Sequence, residues 1–329
     1  MLVFFWLLVF VGNLKADNVV NILPKKSIAL EIEALEQNAK QNDTYTTKYF
    51  KKRNYENPFS SESQDYKDSI LIQKERVQKK DDSTNLQRHK PKTYKKILTS
   101  PKPKIAIIID DIANIRQLEA IKSVGLKLTP SIFPQSNAKM LESIANLDFF
   151  MVHLPLEAIT YKDEMDTLKL SDSRETIEQK IANIKQNMPR TRYINNHTGS
   201  KFTEHKYNMK MLLSVLDSHN INFVDSRTTP NTTLNDIAKE ENRLILYRDI
   251  FIDNELDSTS LQTQINEGIK IAKDRGYAIL IAHPHKETFL ALTNAKSTIL
   301  KEVDVIYLNE LDSMLKKANI TQYAKSLLK

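Results

Sequence analysis

From residue 105 onward the chain repeats one rhythm, a short run of apolar β-formers followed by an amphipathic helical period. The β-type runs fall at 105–109, 127–133, 149–153, 193–196, 221–224, 244–247, 278–282 and 304–307. Helical periods fill the gaps at 114–124, 136–146, 173–187, 204–218, 259–275, 286–299 and 309–317. Strict alternation of this kind builds a parallel sheet, because each helical crossover returns the next strand in the same direction. Its even spread over this length favours a closed or nearly closed β/α barrel over an open sheet. In such a fold the chemistry gathers at the C-terminal ends of the strands.

Those ends are where the polar residues lie. The run IAIIIDD closes on Asp110 and Asp111, FFMVHLPLE carries His153, YINNHTGS carries Asn196, His197 and Thr198, and AILIAHPH carries His283 and His285. Extended backbone points Asp110 and Asp111 to opposite faces, so both reach one site only after a local bend. The competing use of this stretch is helix capping, with Asp111 or Asn114 serving the helix that follows. Asp225, Ser226 and Arg227 follow the 221–224 run, and Arg248 and Asp249 follow 244–247. Either arginine holds an anionic substrate group or orients an aspartate; an intramolecular Arg and Asp pair is the plainer alternative. Glycine is scarce, five in the whole chain, and Gly199 directly after His197 and Thr198 marks a tight turn beside the candidate site. Carboxylates and imidazoles at several strand ends suit a divalent metal with an acid/base pair. The alternative is a satisfied polar network with no catalytic role.

Taken in order, the segments IIIDDI, MVHLPLE, NNHTGSKFT, FVDSRTTP, RDIFID and AILIAHPH resemble the divergent polysaccharide deacetylase family, a branch of the glycoside hydrolase/deacetylase superfamily. The resemblance spans roughly 104–315 and implies an irregular, distorted β/α barrel. It implies Asp110 as general base, Asp111 and His197 as ligands of a divalent metal, zinc foremost, and His283 as general acid. Lys201 stands where the family's HT motif places its second metal-binding histidine, which leaves the third position to His153 or to a water. Asn196, Thr198, Asp225, Arg227, Arg248 and Asp249 are the candidates for substrate contact or support. The implied activity is metal-dependent removal of N- or O-acetyl groups from an envelope or cell-wall glycan. The alternative is a catalytically inactive deacetylase-like domain serving as a glycan-binding or envelope scaffold.

The first third of the chain reads differently. Residues 1–16 contain the uncharged run LVFFWLLVFV, too short for a comfortable bilayer span, and form a secretory signal peptide ending near Ala16 or a short membrane anchor. Residues 17–103 are polar, basic and largely unable to order themselves, with one candidate helix at 27–41. Residues 51–104 hold 15 Lys or Arg against 7 acidic residues, a surplus exceeding the net charge of +7 for the whole chain. The catalytic part, 104–329, is therefore near neutral, and the basic stretch is a solvated tether or touches a membrane surface or an anionic wall polymer. This organisation predicts an exported protein, periplasmic or anchored to the inner membrane facing the periplasm. The absence of cysteine excludes disulfides and thiolate zinc sites. With no glycine-rich phosphate loop and no basic motif interleaved with aromatics, neither nucleotides nor nucleic acids are expected partners.

Overall fold

The computed structural model describes residues 101–160 and 166–327, with side chains to residue 318. The signal peptide or anchor, the helix at 27–41 and nearly all of the basic linker lie outside the described residues. The elements in chain order are β1 (Lys104–Ile112), α1 (Ile115–Val124), β2 (Leu128–Ile132), α2 (Ala138–Ala145), β3 (Met151–Leu156) and α3 (Arg174–Asn187). They continue with β4 (Tyr193–Thr198), α4 (Ser200–Glu204), α5 (Lys206–Ser218), β5 (Asn222–Asp225), α6 (Leu234–Glu240), β6 (Leu246–Tyr247) and β7 (Ile250–Phe251). The last are α7 (Ser258–Arg275), β8 (Tyr277–Ala282), α8 (Lys286–Glu302), β9 (Asp304–Val305) and α9 (Leu308–Leu327).

All strand pairings are parallel, in the order β6-β5-β4-β3-β2-β1-β8-β7, with β9 paired to β1 off this path. The two edges of that path are halves of one bent segment, since only Arg248 and Asp249 separate β6 from β7. At the bend the Arg248 N–H donates to the Asp225 carbonyl (3.0 Å) while the Asp249 N–H donates to the Ile279 carbonyl (2.8 Å). One segment thus serves β5 with its first half and β8 with its second, and the curled sheet is the β/α barrel that the alternation predicts, with the distortion that the family resemblance implies.

Side-chain parity divides the core in two. Ala106 and Ile108, Met151, Tyr193, Val224, Leu246, Ile279 and Ile281 face inward and meet Leu308, Leu311 and Leu315 of α9, which plugs the end where the strands begin. Ile105, Ile107 and Ile109 face outward, under the helices, with Val152, Leu154, Ile194, Phe223 and Leu280. All five β1 isoleucines from 105 to 112 are at most 1% exposed, and each such burial contributes about 1.5–3 kcal/mol.

Local signals explain most element ends. Asn114 forms a capping box with Gln117 at the start of α1, which answers the capping question and leaves Asp111 free for other use. The single helical period at 204–218 is broken at His205, whose φ of −96° and ψ of 96° separate α4 from α5. Neither α6, seven residues long, nor β7, two residues long, is visible as periodicity, because neither completes enough turns or alternations to leave a pattern. The 155–172 segment folds back on its own strand: the Glu157 N–H donates to the Leu168 carbonyl (2.9 Å) and the Leu168 N–H to the Pro155 carbonyl (3.0 Å).

Candidate active site

Continuing each inward row past the apolar core gives the site. Ala106 and Ile108 lead to Asp110, Met151 leads to His153, Tyr193 leads to Asn195 and His197, Val224 leads to Ser226, and Ile279 and Ile281 lead to His283. Asp111 breaks the parity. Its φ of 58° and a register shift between Ile109 and Ile112 form a bulge that swings its carboxylate to the same mouth as Asp110. Thr198 (φ 50°) and Arg227 (φ 51°) take the same left-handed backbone at their strand ends, at roughly 1–3 kcal/mol each. At Gly199 (φ 89°) an added Cβ would lie 2.8 Å from the Leu156 Cβ, so glycine permits both the turn and the close approach of β3.

Asp111, His153 and His197 converge. The Asp111 Oδ1 lies 2.9 Å from the His197 Nδ1 and 3.1 Å from the His153 Nε2, and the two imidazole nitrogens are 3.2 Å apart. Four-coordinate zinc with ligand bonds near 2.0–2.1 Å needs ligand atoms about 3.3 Å apart, so this donor set fits such a cation with little movement. Burial pushes the Asp111 carboxyl upward, but the adjoining imidazoles of His197 and His153 outweigh it and hold Asp111 well below the usual carboxylate range. The ring of Phe133 packs on both histidines, 4.9 Å from His197 and 5.4 Å from His153, and gives the cluster an apolar wall.

Asp110 lies just inside, 1% exposed, with its Oδ1 3.6 Å from the His153 Nδ1. Burial raises its pKa, and the nearby His153 and His283 only partly offset that. On β8, the His283 Nδ1 donates to the Asp253 Oδ1 (3.0 Å), while the His283 backbone N–H (2.6 Å) and the Thr288 hydroxyl (2.8 Å) both donate to the Asp253 Oδ2. Desolvation pulls the imidazole down, but the paired Asp253 carboxylate overrides it and pushes His283 up to about 9. The face of Phe251 stacks on His283 (5.7 Å), and the Arg248 guanidinium covers the same ring at 3.7 Å. Asp253, His283 and His285 form a second group whose donor atoms are close enough to hold a cation.

The structure brings Asp110, Asp111, His153, His197 and His283 together and places the remaining candidates around them. Lys201 points away and pairs with Glu157 (2.5 Å), so the third donor beside Asp111 and His197 is His153. Asn196 faces outward, accepting from the Ser226 N–H (2.9 Å) and donating to the Thr198 carbonyl (2.7 Å). Thr198 donates to the Leu156 carbonyl (2.8 Å), and Asp225 accepts from the Arg227 N–H (2.8 Å) and the Thr232 hydroxyl (2.9 Å). The Arg227 guanidinium stacks on Tyr247 at 3.7 Å, and Arg248 donates to the carbonyls of Ser226 (2.7 Å) and Arg227 (2.8 Å). Asp249 lies apart from the cluster, paired with Arg275 and accepting from the Ile279 N–H. Two residues at the centre escape the sequence reading, Asn195 and Asp253. Parity marks Asn195, one residue before the position favoured, as it marks Ser226 among the strand-end candidates, and Asp253 closes the segment RDIFID.

Comparison with known proteins gives the chain its relatives. The uncharacterized protein YibQ of Escherichia coli (strain K12) is 28% identical over 216 residues, covering 63% of this chain and 67% of that protein. An uncharacterized protein of Haemophilus influenzae (strain ATCC 51907 / DSM 11121 / KW20 / Rd) is 26% identical over 213 residues, covering 63% and 76%. In fold, the chain is similar to the crystal structure of the uncharacterized protein ATU2773 from Agrobacterium tumefaciens C58, with a TM-score of 0.57 and 16% identity over 65% of this chain and 91% of that one. Residues 107–311, from β1 into α9, match the family described as divergent polysaccharide deacetylase, and they include every strand end that supplies the site. That match covers more than half of the sequence, and the chain belongs to the divergent polysaccharide deacetylase family.

Proposed function

We propose that this protein is a metal-dependent hydrolase that removes N- or O-acetyl groups from an envelope or cell-wall glycan. The observation that carries the reading is the convergence at one barrel mouth of a three-donor set, a buried carboxylate and a carboxylate-backed histidine. Asp111, His153 and His197 would hold the cation, and zinc suits two imidazoles and a carboxylate with a position left open. When bound, the cation supplies a water ionised near neutral pH and a Lewis acid for the acyl oxygen.

The chain's own groups supply the proton transfers. Asp110, desolvated and therefore more basic than an ordinary aspartate, takes the proton of the attacking water. His283 starts protonated because of Asp253, and with its Nδ1–H committed to that carboxylate it offers the Nε2–H to the leaving nitrogen or oxygen. Phe133 and Phe251 flank the two halves with apolar surface that excludes water and strengthens the charge interactions between them. We further propose that residues 1–16 export the protein and that the basic stretch tethers the barrel near the envelope surface.

The test is elemental analysis of the purified full chain together with an acetate-release assay on a panel of acetylated glycans with zinc supplied. One equivalent of bound zinc and acetate release that chelation abolishes is the expected result. Bound metal without release across the panel would make the domain a binding scaffold instead.

A further inference from the structure

Asn195 is fully buried at the centre of the polar network. Its Nδ2 donates to both oxygens of Asp110 (2.8 and 3.0 Å) and to the Ser226 Oγ (2.9 Å). Its Oδ1 lies 2.6 Å from the Ser131 Oγ and 3.0 Å from the His153 Nδ1. The two ends of this amide are not interchangeable. An ionised carboxylate only accepts hydrogen bonds, so the NH2 must face Asp110. The amide oxygen then faces His153, and because it too only accepts, the His153 Nδ1 must carry the hydrogen. With Nδ1 committed as a donor, Nε2 is the nitrogen left to give its lone pair to a cation, since a metal-bound imidazole is neutral and keeps one N–H. Nε2 is the atom 3.1 Å from the Asp111 Oδ1 and 3.2 Å from the His197 Nδ1.

We propose that Asn195 is the positioning residue of this site, a single amide that keeps Asp110 an acceptor and fixes His153 in the tautomer whose Nε2 lone pair faces the cation position. Ser131 reinforces the choice, since its hydroxyl donates to the same amide oxygen. A ring held this way needs no rearrangement before it ligates, which is how hydrogen bonds beyond the ligands raise metal affinity. The inference rests on the proposed metal centre and not on turnover.

The experiment is 15N NMR of the metal-free full chain with labelled histidine, His153 being assigned by its loss in His153→Gln, alongside zinc titration of the same proteins. Wild type is expected to show His153 protonated at Nδ1, with Nε2 the nitrogen whose signal zinc shifts. Asn195→Ala, and the similarly sized Asn195→Leu should the alanine variant not fold, are expected to release the tautomer and to weaken zinc binding about 10- to 100-fold. His153 lacking the Nδ1 proton in wild type, zinc shifting Nδ1 in place of Nε2, or a folded variant that keeps both the tautomer and the zinc affinity overturns the proposal. If wild type binds zinc but releases no acetate, the hydrolase reading fails while the tautomer and affinity data still decide the role of Asn195.

Discussion

The barrel mouth holds two groups of the same composition, one aspartate and two histidines, and their surroundings differ. In the first, one carboxylate oxygen of Asp111 and one ring nitrogen each of His153 and His197 converge at 2.9–3.2 Å, so all three can present a lone pair to one cation. In the second, Asp253 is saturated by donors, a backbone N–H, a hydroxyl and the His283 Nδ1–H, so its negative charge is committed to holding a proton on the ring. Donor distances alone qualify both groups for a cation. The partners separate them: three donor atoms converging on one point suit a metal, and a carboxylate already engaged by a backbone N–H and a hydroxyl suits a proton on its histidine.

The sharpest way to break that comparison is to remove one member of each group and count zinc. Asp111→Asn or His153→Ala is expected to lower zinc affinity roughly a hundredfold or more and to abolish acetate release. His285→Ala should leave one equivalent bound. Zinc retained in the first pair and lost in the last would reverse the assignment. The next effect in size belongs to His283→Ala, which should cut turnover roughly a hundredfold or more while zinc content stays at one equivalent and KM changes little. A variant that loses zinc instead would mean that His283 is a ligand.

Asp253→Asn sharpens the proton side. His283 is held up at about 9, so its acid form is present at neutral pH and is lost as pH rises through that value. Turnover should therefore decline on an alkaline limb near 9. Without the Asp253 carboxylate, Asp110 and Asp111 alone oppose burial, and the limb should move down toward the ordinary histidine range. The same logic sets the stability trend: the raised pKa stabilises the fold fully below the unfolded histidine value and loses that contribution as pH climbs through 9. An unmoved limb in Asp253→Asn would remove Asp253 from the acid's control. On the acid side, burial of Asp110 should place the other limb above the ordinary aspartate value.

Much of this was legible in the sequence because parity is a strong rule in strands. Period-two alternation runs through Ala106, Ile108 and Asp110, and through Ile279, Ile281 and His283, so the core and the site share one inward row. The same rule fails at Asp111, whose bulge depends on a left-handed φ that aspartate tolerates but does not announce. It was also read one residue off at β4. Asn195, inside, and Asn196, bracing the outside, are chemically identical neighbours, and only the phase of the strand distinguishes them. Asp253 was hidden for another reason: β7 is two residues long, too short to reveal which side its end faces. Barrel closure through Arg248 and Asp249 is a property of two distant pairings, Asp225 and Ile279, that no local pattern encodes.

The smallest expected effect tests the departure that most threatened a metal site, the lysine at position 201. Its ammonium is bound to Glu157, the last residue of the MVHLPLE segment, and that carboxylate also accepts the Leu170 N–H (2.7 Å). Burial raises the Glu157 pKa, but the Lys201 hydrogen bond outweighs it and the net shift is downward, as for a surface pair tying the end of β3 to α4. The lysine side chain is 47% exposed, so solvent screens most of the attraction and Lys201→Met should cost at most about 1 kcal/mol in unfolding free energy. Zinc affinity should change by less than about threefold, because the third donor comes from β3 and not from this turn. A tenfold or larger loss would mean that the ammonium does reach the centre, and the role given to His153 would have to be redrawn.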